Sequence, residues 1–232
     1  MALSIADNYA SVRERIHRAA RKSGRGEAEI KLVCVTKTVD VKLIKDAIKA
    51  GAGTFGENYV QEAEKKIKAL SLKHVDWHMI GHLQKNKAKF AVKLFNMVES
   101  VDSPELADIL SKKAETPLDI LIEVNLAREK TKTGIDPAKL DKALRKISEM
   151  KNVRVKGLMA VPPFHDSAEH SRPYFQTLRR LAERINKEHI PNIYLTDLSM
   201  GMSADFDVAI EEGATIVRVG TAIFGERKKK DQ

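Results

Sequence analysis

Short runs of apolar and β-branched residues alternate with longer amphipathic segments from residue 31 onward. Apolar residues in the longer segments recur at helical spacing, as at Val41, Ile44 and Ile48. The eight short runs are KLVCVTK, TFGE, DWHMIG, NMVES, LDILIEVN, VRVKGLMAV, NIYLTDLS and TIVRVG. Strands joined by helical crossovers pair in parallel. The pattern therefore predicts an α/β fold, a single (β/α)8 TIM barrel.

The ends of the predicted helices carry matching signals. Pro104 in DSPEL and Pro137 in DPAKL stand early in their helices, and KAGAG and EEGAT supply glycine at helix ends. An open doubly wound sheet is the alternative fold, but neither a G-x-G-x-x-G after the first strand nor a P-loop is present. We therefore favour the closed barrel.

The first segment of the chain precedes this alternation. Residues 4–22 place apolar side chains on one helical face, which predicts an extra N-terminal helix packed outside the barrel. We expect residues 1–232 to form one domain, with residues 1–24 as the outer helix and residues 226–232 as a basic tail.

Composition narrows the class of protein. The chain has 232 residues, 43% of them hydrophobic, which is enough for a sizeable core. Its apolar runs are too short to span a membrane, and the N-terminal segment has charges where a signal peptide needs its apolar region. The single cysteine, Cys34, excludes an internal disulfide and a cysteine-cluster metal site. We therefore expect a cytoplasmic monomer without membrane contact or redox chemistry.

Net charge points to an acidic partner. The formal charge is +9, which suits nucleic acid, an anionic surface or a phosphorylated small molecule. Much of the excess lies in EKKIKALSLK, in KALRKISEMK and in the tail, a pattern typical of solvated helix faces. Recognition helices, zinc-finger spacing and aromatic RNA-binding signatures are not found. Nucleic-acid binding is therefore not expected.

A lysine stands at the end of the first predicted strand. In a barrel, the carboxyl ends of the strands form the face that binds ligands. Alternation places Val33, Val35 and Lys37 on one face of the strand, so an inward Val33 predicts an inward amine. The alternative is a lysine that reaches water from a strand end.

Small-residue loops follow the seventh and eighth strands, where barrels of this kind commonly bind phosphate. Ser199, Gly201 and Ser203 lie in the first loop, before a helix expected to begin near Ala204. Gly220 and Thr221 repeat the arrangement after the eighth strand.

Arg218 shares a strand face with Ile216 and Gly220, so it should point inward beside the phosphate loops. The first and eighth strands adjoin in a closed barrel, which brings Lys37 and Arg218 together. An ion pair with Glu123 is the alternative role for Arg218. A desolvated lysine with a cationic neighbour favours a neutral amine, and a nearby phosphate site suggests pyridoxal 5′-phosphate (PLP) bound as a Schiff base.

Longer motifs carry a family resemblance. VTKT, FGENYVQE, WHMIGHLQKNK, VNLAREKTKTGI, GLMAV, LSMGMSADFDVAI and VRVGTAIFG occur in this order. Together they resemble the pyridoxal phosphate homeostasis proteins (the YggS/PROSC group), whose single barrel is similar to the N-terminal domain of alanine racemase. The match extends from about residue 30 to about residue 225.

The resemblance implies a set of cofactor-binding residues. Lys37 would carry PLP, and Arg218 would face the pyridine nitrogen. Ser203, Gly220 and Thr221 would hold the phosphate.

Three further residues complete the predicted cofactor site. Asn58 matches a family position near the cofactor. His82 is expected near the ligand mouth, and Met200 is a candidate cofactor contact. Met159 is a similar candidate, although methionine is also common as barrel filler.

Several other polar residues receive simpler interpretations. His78 and His82 lack the glutamate and the helix of a zinc motif, so no metal site is expected. His78 is interpreted as a hydrogen-bonded interior residue. Glu123 and Asn125 share a strand face and fit a polar layer inside the barrel. Glu57 is interpreted as a surface-loop carboxylate rather than a base.

Two functions remain open. The resemblance implies a protein that holds PLP, maintains vitamin B6 homeostasis and delivers PLP to PLP-dependent apoenzymes, with no catalytic residue. The alternative is a PLP-dependent racemase-like enzyme, which needs a second base opposite Lys37. The chain leaves no room for the C-terminal domain that supplies this base in alanine racemases, and Tyr59 is the least excluded substitute. Arg218 cannot protonate the pyridine nitrogen, which also favours the binding role.

Overall fold

A computed structural model describes residues 4–72, 74–127, 133–163 and 166–226 of the chain. Strands and helices alternate through these ranges after an initial helix. The strands are β1 Lys31–Val35, β2 Thr54–Glu57, β3 Asp76–Met79, β4 Met97–Val101, β5 Leu118–Glu123, β6 Val153–Met159, β7 Asp197–Ser199 and β8 Ile216–Val219. The helices are α1 Ile5–Lys22, α2 Val41–Lys49, α3 Val60–Leu70, α4 Ala88–Leu94, α5 Pro104–Lys113, α6 Leu140–Ile147, α7 Arg172–Lys187, α8 Phe206–Glu211 and α9 Thr221–Phe224.

The eight strands close into a parallel barrel, which confirms the predicted fold. Each strand pairs with its neighbours in sequence, and β1 closes the ring against β8. In that closing pair, Val33 lies opposite Arg218 and Lys31 lies opposite Ile216. The two ends of the alternating region are therefore side by side.

Two apolar clusters lie on the two faces of the barrel wall. The smaller fills the barrel interior and contains Val33, Met97, Leu121, Met159 and Ile216. The larger lies between the wall and the surrounding helices and includes alternate residues of the same strands. Alternation along a strand thus separates inward from outward side chains, as predicted for β1.

Helix α1 packs outside the barrel, as the sequence predicts. Ser4 caps it, and its buried face includes Val12 and Ile16. It lies against α8 and α9, where the side-chain amide of Asn8 donates to the carbonyl of Ile223 at 3.0 Å.

Glycine permits the close approach of β6 and β7. A Cβ placed on Gly157 would lie 1.8 Å from the backbone oxygen of Asp197. Any side chain there would push the two strands apart, so β6 and β7 can pair at this position only because glycine has no side chain.

Some predicted boundaries differ from the structure. Strand β7 covers only the end of the run NIYLTDLS, because Asn192 has a positive φ of 61° and Tyr194 faces solvent. The helix expected near Ala204 begins at Phe206. Residues 227–232 of the predicted basic tail lie outside the described residues. Across the described ranges, no helix combines the length and apolar character needed to cross a membrane.

Candidate functional site

Lys37 lies at the carboxyl end of the barrel, but two residues beyond β1. Thr36 extends the strand pairing, since its N–H donates to the carbonyl of Gly56 at 3.0 Å. Lys37 and Thr38 then form a turn in which the N–H of Val39 donates to Thr36 O at 2.9 Å. Strand alternation therefore correctly predicts that Val33 faces the barrel interior, but it does not extend to Lys37, which lies in the turn. Lys37 is partly buried.

A chain of polar side chains crosses the barrel interior. His78 Nδ1 donates to Glu99 Oε1 at 2.6 Å, and Ser199 Oγ donates to Glu99 Oε2 at 2.5 Å. Arg218 donates to Ser199 Oγ through Nη1 and to Ala160 O through Nη2, the latter at 2.9 Å. We call these four side chains (His78, Glu99, Ser199 and Arg218) the interior network. The inward orientation of Arg218 and the hydrogen-bonded interior position of His78 are confirmed.

The carboxylate that faces Arg218 is Glu99, at 3.9 Å, rather than the expected Glu123. Burial raises the pKa of Glu99, but the hydrogen bond from His78 and the charge of Arg218 outweigh this effect and lower it. Burial lowers the pKa of Arg218, and the charges of Glu99 and Glu123 oppose that shift. Glu99 is therefore held as a carboxylate beside a desolvated guanidinium group.

Glu123 lies at the mouth of the barrel instead. It is buried and accepts a hydrogen bond from Thr133 Oγ1 at 2.8 Å. Burial raises its pKa more than this bond lowers it. Glu123 and Asn125 line one small cavity near the end of β5.

Two backbone donors converge where the loops after β7 and β8 meet. The N–H groups of Gly220 and Ala222 both donate to Ser203 Oγ, at 3.2 and 3.3 Å. Thr221 lies between them and is exposed at the first position of α9. Such a cluster of N–H and hydroxyl groups suits an anion.

Gly201 fixes the shape of the loop that carries Ser203. Its φ of +90° lies in the left-handed region, and an added Cβ would lie 2.5 Å from the Cβ of Ala209. The loop can therefore pack closely on α8 only with glycine at this position.

His82 and Asn58 lie at the rim of the barrel mouth. Both line a cavity of about 520 Å³ that also contacts Tyr59. His82 is exposed, and its Nδ1 lies 3.1 Å from Asp102 Oδ2. Gly81 brings the two loops together, because a Cβ there would lie 2.6 Å from the backbone oxygen of Asn58.

Known relatives match this chain along nearly its whole length. The family model for the alanine racemase N-terminal domain matches residues 7–228. The pyridoxal phosphate homeostasis protein of Aquifex aeolicus is 44% identical, covering 97% of this chain and 100% of the relative. The protein of that name from Escherichia coli K12 is 39% identical, covering 96% of this chain and 97% of the relative. This chain belongs to the family of pyridoxal phosphate homeostasis proteins.

Solved structures agree with the family assignment. PipY of Synechococcus elongatus PCC7942, solved with PLP bound, is 36% identical to this chain. The alignment covers 96% of this chain and 100% of PipY with a TM-score of 0.85. Alanine racemase of Corynebacterium glutamicum is 14% identical over 94% of this chain and 61% of the enzyme, with a TM-score of 0.70. That second likeness shows the barrel fold alone.

The two candidate methionines occupy different sides of the barrel wall. Met159 lies in the interior cluster. Met200 is fully buried in the larger cluster outside the wall, among apolar side chains. Its side chain is therefore packed among apolar residues, and its contact with the cofactor stays a prediction.

Glu57 is not the surface carboxylate that the sequence suggested. It ends β2, is fully buried, and faces away from the barrel interior toward α3. Its Oε1 accepts from Thr36 Oγ1 at 2.6 Å and from Lys66 Nζ at 2.7 Å. Burial raises its pKa more than these contacts lower it. Lys66, expected on a solvated helix face, also bonds to Glu62 Oε1 at 2.7 Å.

We call Thr36, Glu57, Glu62 and Lys66 the outer network. Lys66 could have been recognised from the sequence, because it stands with Ala63 and Leu70 on the buried stripe of α3. Glu99 could also have been found, since it alternates with the interior residue Met97 in NMVES. A charge at an apolar position of the pattern was the signal in both cases.

Proposed function

We propose that this protein binds PLP at the carboxyl end of the barrel and maintains PLP homeostasis in the cytoplasm. The observation that carries the proposal is the full-length similarity to pyridoxal phosphate homeostasis proteins and to PipY, which was solved with PLP bound. The donor set around Ser203 fits a phosphate ester, and Lys37 follows β1, the strand that pairs with the Arg218 strand β8.

Each residue has a separate role in the proposed site. Ser203, Gly220 and Thr221 bind the phosphate through hydroxyl and backbone N–H groups. Arg218 faces the pyridine nitrogen, and the interior network holds its guanidinium group in place. Lys37 supplies the amine.

Asn58 and His82 border the ring from the rim. All of the proposed contacts come from one chain, so the site is complete in a monomer.

The cofactor supplies an aldehyde that a lysine amine can trap reversibly. The Nζ of Lys37 would hold the aldehyde carbon through a C=N bond, with one water released. Uptake of one water would restore the free amine and the aldehyde. A Schiff base of this kind keeps the reactive aldehyde out of solution and still permits its transfer to PLP-dependent apoenzymes.

The first experiment locates the covalent link. PLP is added to the purified protein, the imine is reduced with borohydride, and the peptides are mapped by mass spectrometry. The pyridoxyl group is expected on Lys37, and the Lys37→Ala variant should lose the visible absorbance band. Lys42, exposed in the first turn of α2, provides a matched control through Lys42→Ala. A label confined to other lysines would contradict the assignment.

A racemase-like activity is the second candidate. Tyr59 is 62% exposed and lines the same cavity as His82, so a phenolic hydroxyl is available at the mouth. We nevertheless propose a carrier without productive turnover. Chiral chromatography after incubation with L-alanine should give rates far below an ordinary enzyme turnover of about 1–1000 per second.

Transfer of the cofactor is measured on the same preparation. An apoenzyme added to the holo-protein should recover its activity. Fast racemisation that Tyr59→Phe abolishes, with PLP still bound, would instead make Tyr59 the second base.

A further inference from the structure

Side chains of α3 bind the two peptide groups that flank Lys37. Lys66 Nζ donates to the carbonyl oxygen of Thr36 at 2.5 Å. The N–H of Thr38 donates to Glu62 Oε1 at 2.6 Å. That carbonyl and that N–H belong to the peptide bonds immediately before and after Lys37. One residue of α3 therefore holds each side of the lysine.

The turn that carries Lys37 needs such support. Thr38 has a φ of +61°, in the left-handed region that a β-branched residue rarely adopts. A strained backbone of this kind persists where the surrounding structure fixes it. The bond from the Val39 N–H to Thr36 O closes the turn from within, and α3 holds it from outside.

The holding side chains are themselves fixed. Lys66 is only 6% exposed, and its ammonium donates to three acceptors: Thr36 O, Glu57 Oε1 and Glu62 Oε1. Three donors with three acceptors satisfy a buried ammonium group. Glu57, at the end of β2, links this arrangement back to Thr36 through its hydroxyl. The outer network thus ties β1, β2 and α3 together beneath Lys37.

The same helix offers a natural comparison. Glu64 and Lys68 form an ion pair with the same spacing and the same 2.7 Å distance as Glu62 and Lys66. Their side chains are 39% and 73% exposed, so the pair is solvated and of little energetic weight. Both pairs form an ion pair along α3, but Glu62 and Lys66 also contact the backbone of the turn that carries Lys37.

We propose that Glu62 and Lys66 are positioning residues that orient Lys37 for its reaction with PLP by holding the peptide groups on either side of it. They act through the backbone of the turn. The inference rests on the proposed function, because it concerns the lysine that is proposed to bind the cofactor.

The test separates covalent from non-covalent binding. Dissociation constants for PLP and for its alcohol analogue pyridoxine 5′-phosphate are measured for Glu62→Ala and Lys66→Met. The analogue shares the ring and the phosphate but cannot form an imine. We expect PLP to bind about tenfold or more weakly, because a misplaced amine reacts less readily, whereas the analogue keeps its affinity within about twofold. The matched controls Glu64→Ala and Lys68→Met should bind both ligands as the unmodified protein does.

A second measurement needs no cofactor. Amide hydrogen exchange in the cofactor-free protein should be about tenfold or more faster at Thr38 in Glu62→Ala than in Glu64→Ala, since the acceptor of its N–H is lost. Glu62→Gln retains an acceptor oxygen and should restore slow exchange and most of the PLP affinity. Glu62 is partly exposed, so its variants remain informative even if Lys66→Met folds poorly.

Each outcome decides between two ideas. Normal PLP affinity in folded Glu62→Ala, or equal weakening of both ligands, would overturn the positioning role. An unmodified protein that forms no adduct at Lys37 would overturn the proposed function. In that case exchange at Thr38 still decides whether Glu62 holds the turn.

Discussion

The interior network and the outer network lie on opposite faces of the same barrel wall, and each is built around one buried glutamate. In the interior network, both oxygens of Glu99 accept hydrogen bonds, from His78 and from Ser199. In the outer network, Glu57 Oε1 accepts two bonds, while no donor among the described residues reaches its Oε2. Both glutamates are fully buried, so burial does not explain why their pKa values shift in opposite directions.

The difference shows that the bonds at each oxygen decide the charge of a buried carboxyl group. Glu99 has a donor on each oxygen and a guanidinium group nearby, so the charged form is favoured. Glu57 shares Lys66 with Glu62, so one ammonium group faces two carboxylates. Burial therefore raises the pKa of Glu57 more than its hydrogen bonds lower it, and the nearby Glu62 adds to the rise. The interior network thus requires the negative charge of Glu99, whereas the outer network depends much less on a charge at Glu57.

The largest expected effect is on stability. Glu99→Gln removes the carboxylate beside Arg218 and leaves a buried cation without its partner, which should lower the free energy of unfolding by about 3–5 kcal/mol. Glu57→Gln resembles the neutral acid and leaves Lys66 bonded to Glu62 and Thr36, so a loss of about 1 kcal/mol is expected. Urea unfolding of both variants measures the two values. Equal losses would contradict the comparison.

The bridging hydroxyl groups should differ in the same direction. Ser199→Ala removes a side chain that accepts from Arg218 and donates to Glu99, so two buried groups lose a partner and about 1–3 kcal/mol is expected. Thr36→Val removes one donor to an oxygen that Lys66 still reaches, and about 0.5–1.5 kcal/mol is expected. The same unfolding measurement applies. A larger loss for Thr36→Val would show that the outer network is the more sensitive one.

The pH dependence sharpens the comparison further. The pKa of Glu57 is raised by burial, so its contribution to stability is complete below the ordinary glutamate pKa of about 4.3 and is lost as the pH rises through the folded value. The pKa of Glu99 is lowered, because bonding and charge outweigh burial. Its contribution is complete above that ordinary value and is lost as the pH falls through the folded one.

The measurement is the difference in unfolding free energy between the unmodified protein and each glutamine variant across acid to neutral pH. This difference should fall with rising pH for Glu57→Gln and rise for Glu99→Gln, with slopes of up to about 1.4 kcal/mol per pH unit. Ser203→Ala, which touches neither network, is the control for general acid effects. Slopes of the same sign would refute the assigned charges.

Hydrophobic periodicity was sufficient to predict the barrel, since β1 is a continuous buried run after Lys31 and burial recurs at helical spacing in α2. It failed where backbone geometry departs from a regular element. Lys37 lies in a turn with Thr38 in a left-handed conformation, and no pattern of apolar residues encodes that turn. Strand β7 is short for a similar reason, because the positive φ of Asn192 interrupts the run.

The inward position of Arg218 was predictable because it follows Ile216 by two residues on β8. Its partner was not, since Glu99 lies in the interior and Glu123 nearer the mouth, and only the register between β4 and β5 shows this. The roles of Glu62 and Lys66 were also missed. Their contacts join α3 to the backbone of another strand, and such long-range contacts leave no local periodicity.

The closure of β1 against β8 also orders events during protein synthesis. A ribosome releases the chain from its N-terminus, so Lys37 emerges long before Arg218, and Asn8 precedes its partner Ile223 by 215 residues. Until β8 docks, β1 lacks its second neighbour, and a nascent chain carries a lysine without the guanidinium or the anion-binding loops. Under the proposed function, the chain thus becomes able to bind PLP only late in translation. Binding of PLP would therefore indicate that the barrel has closed.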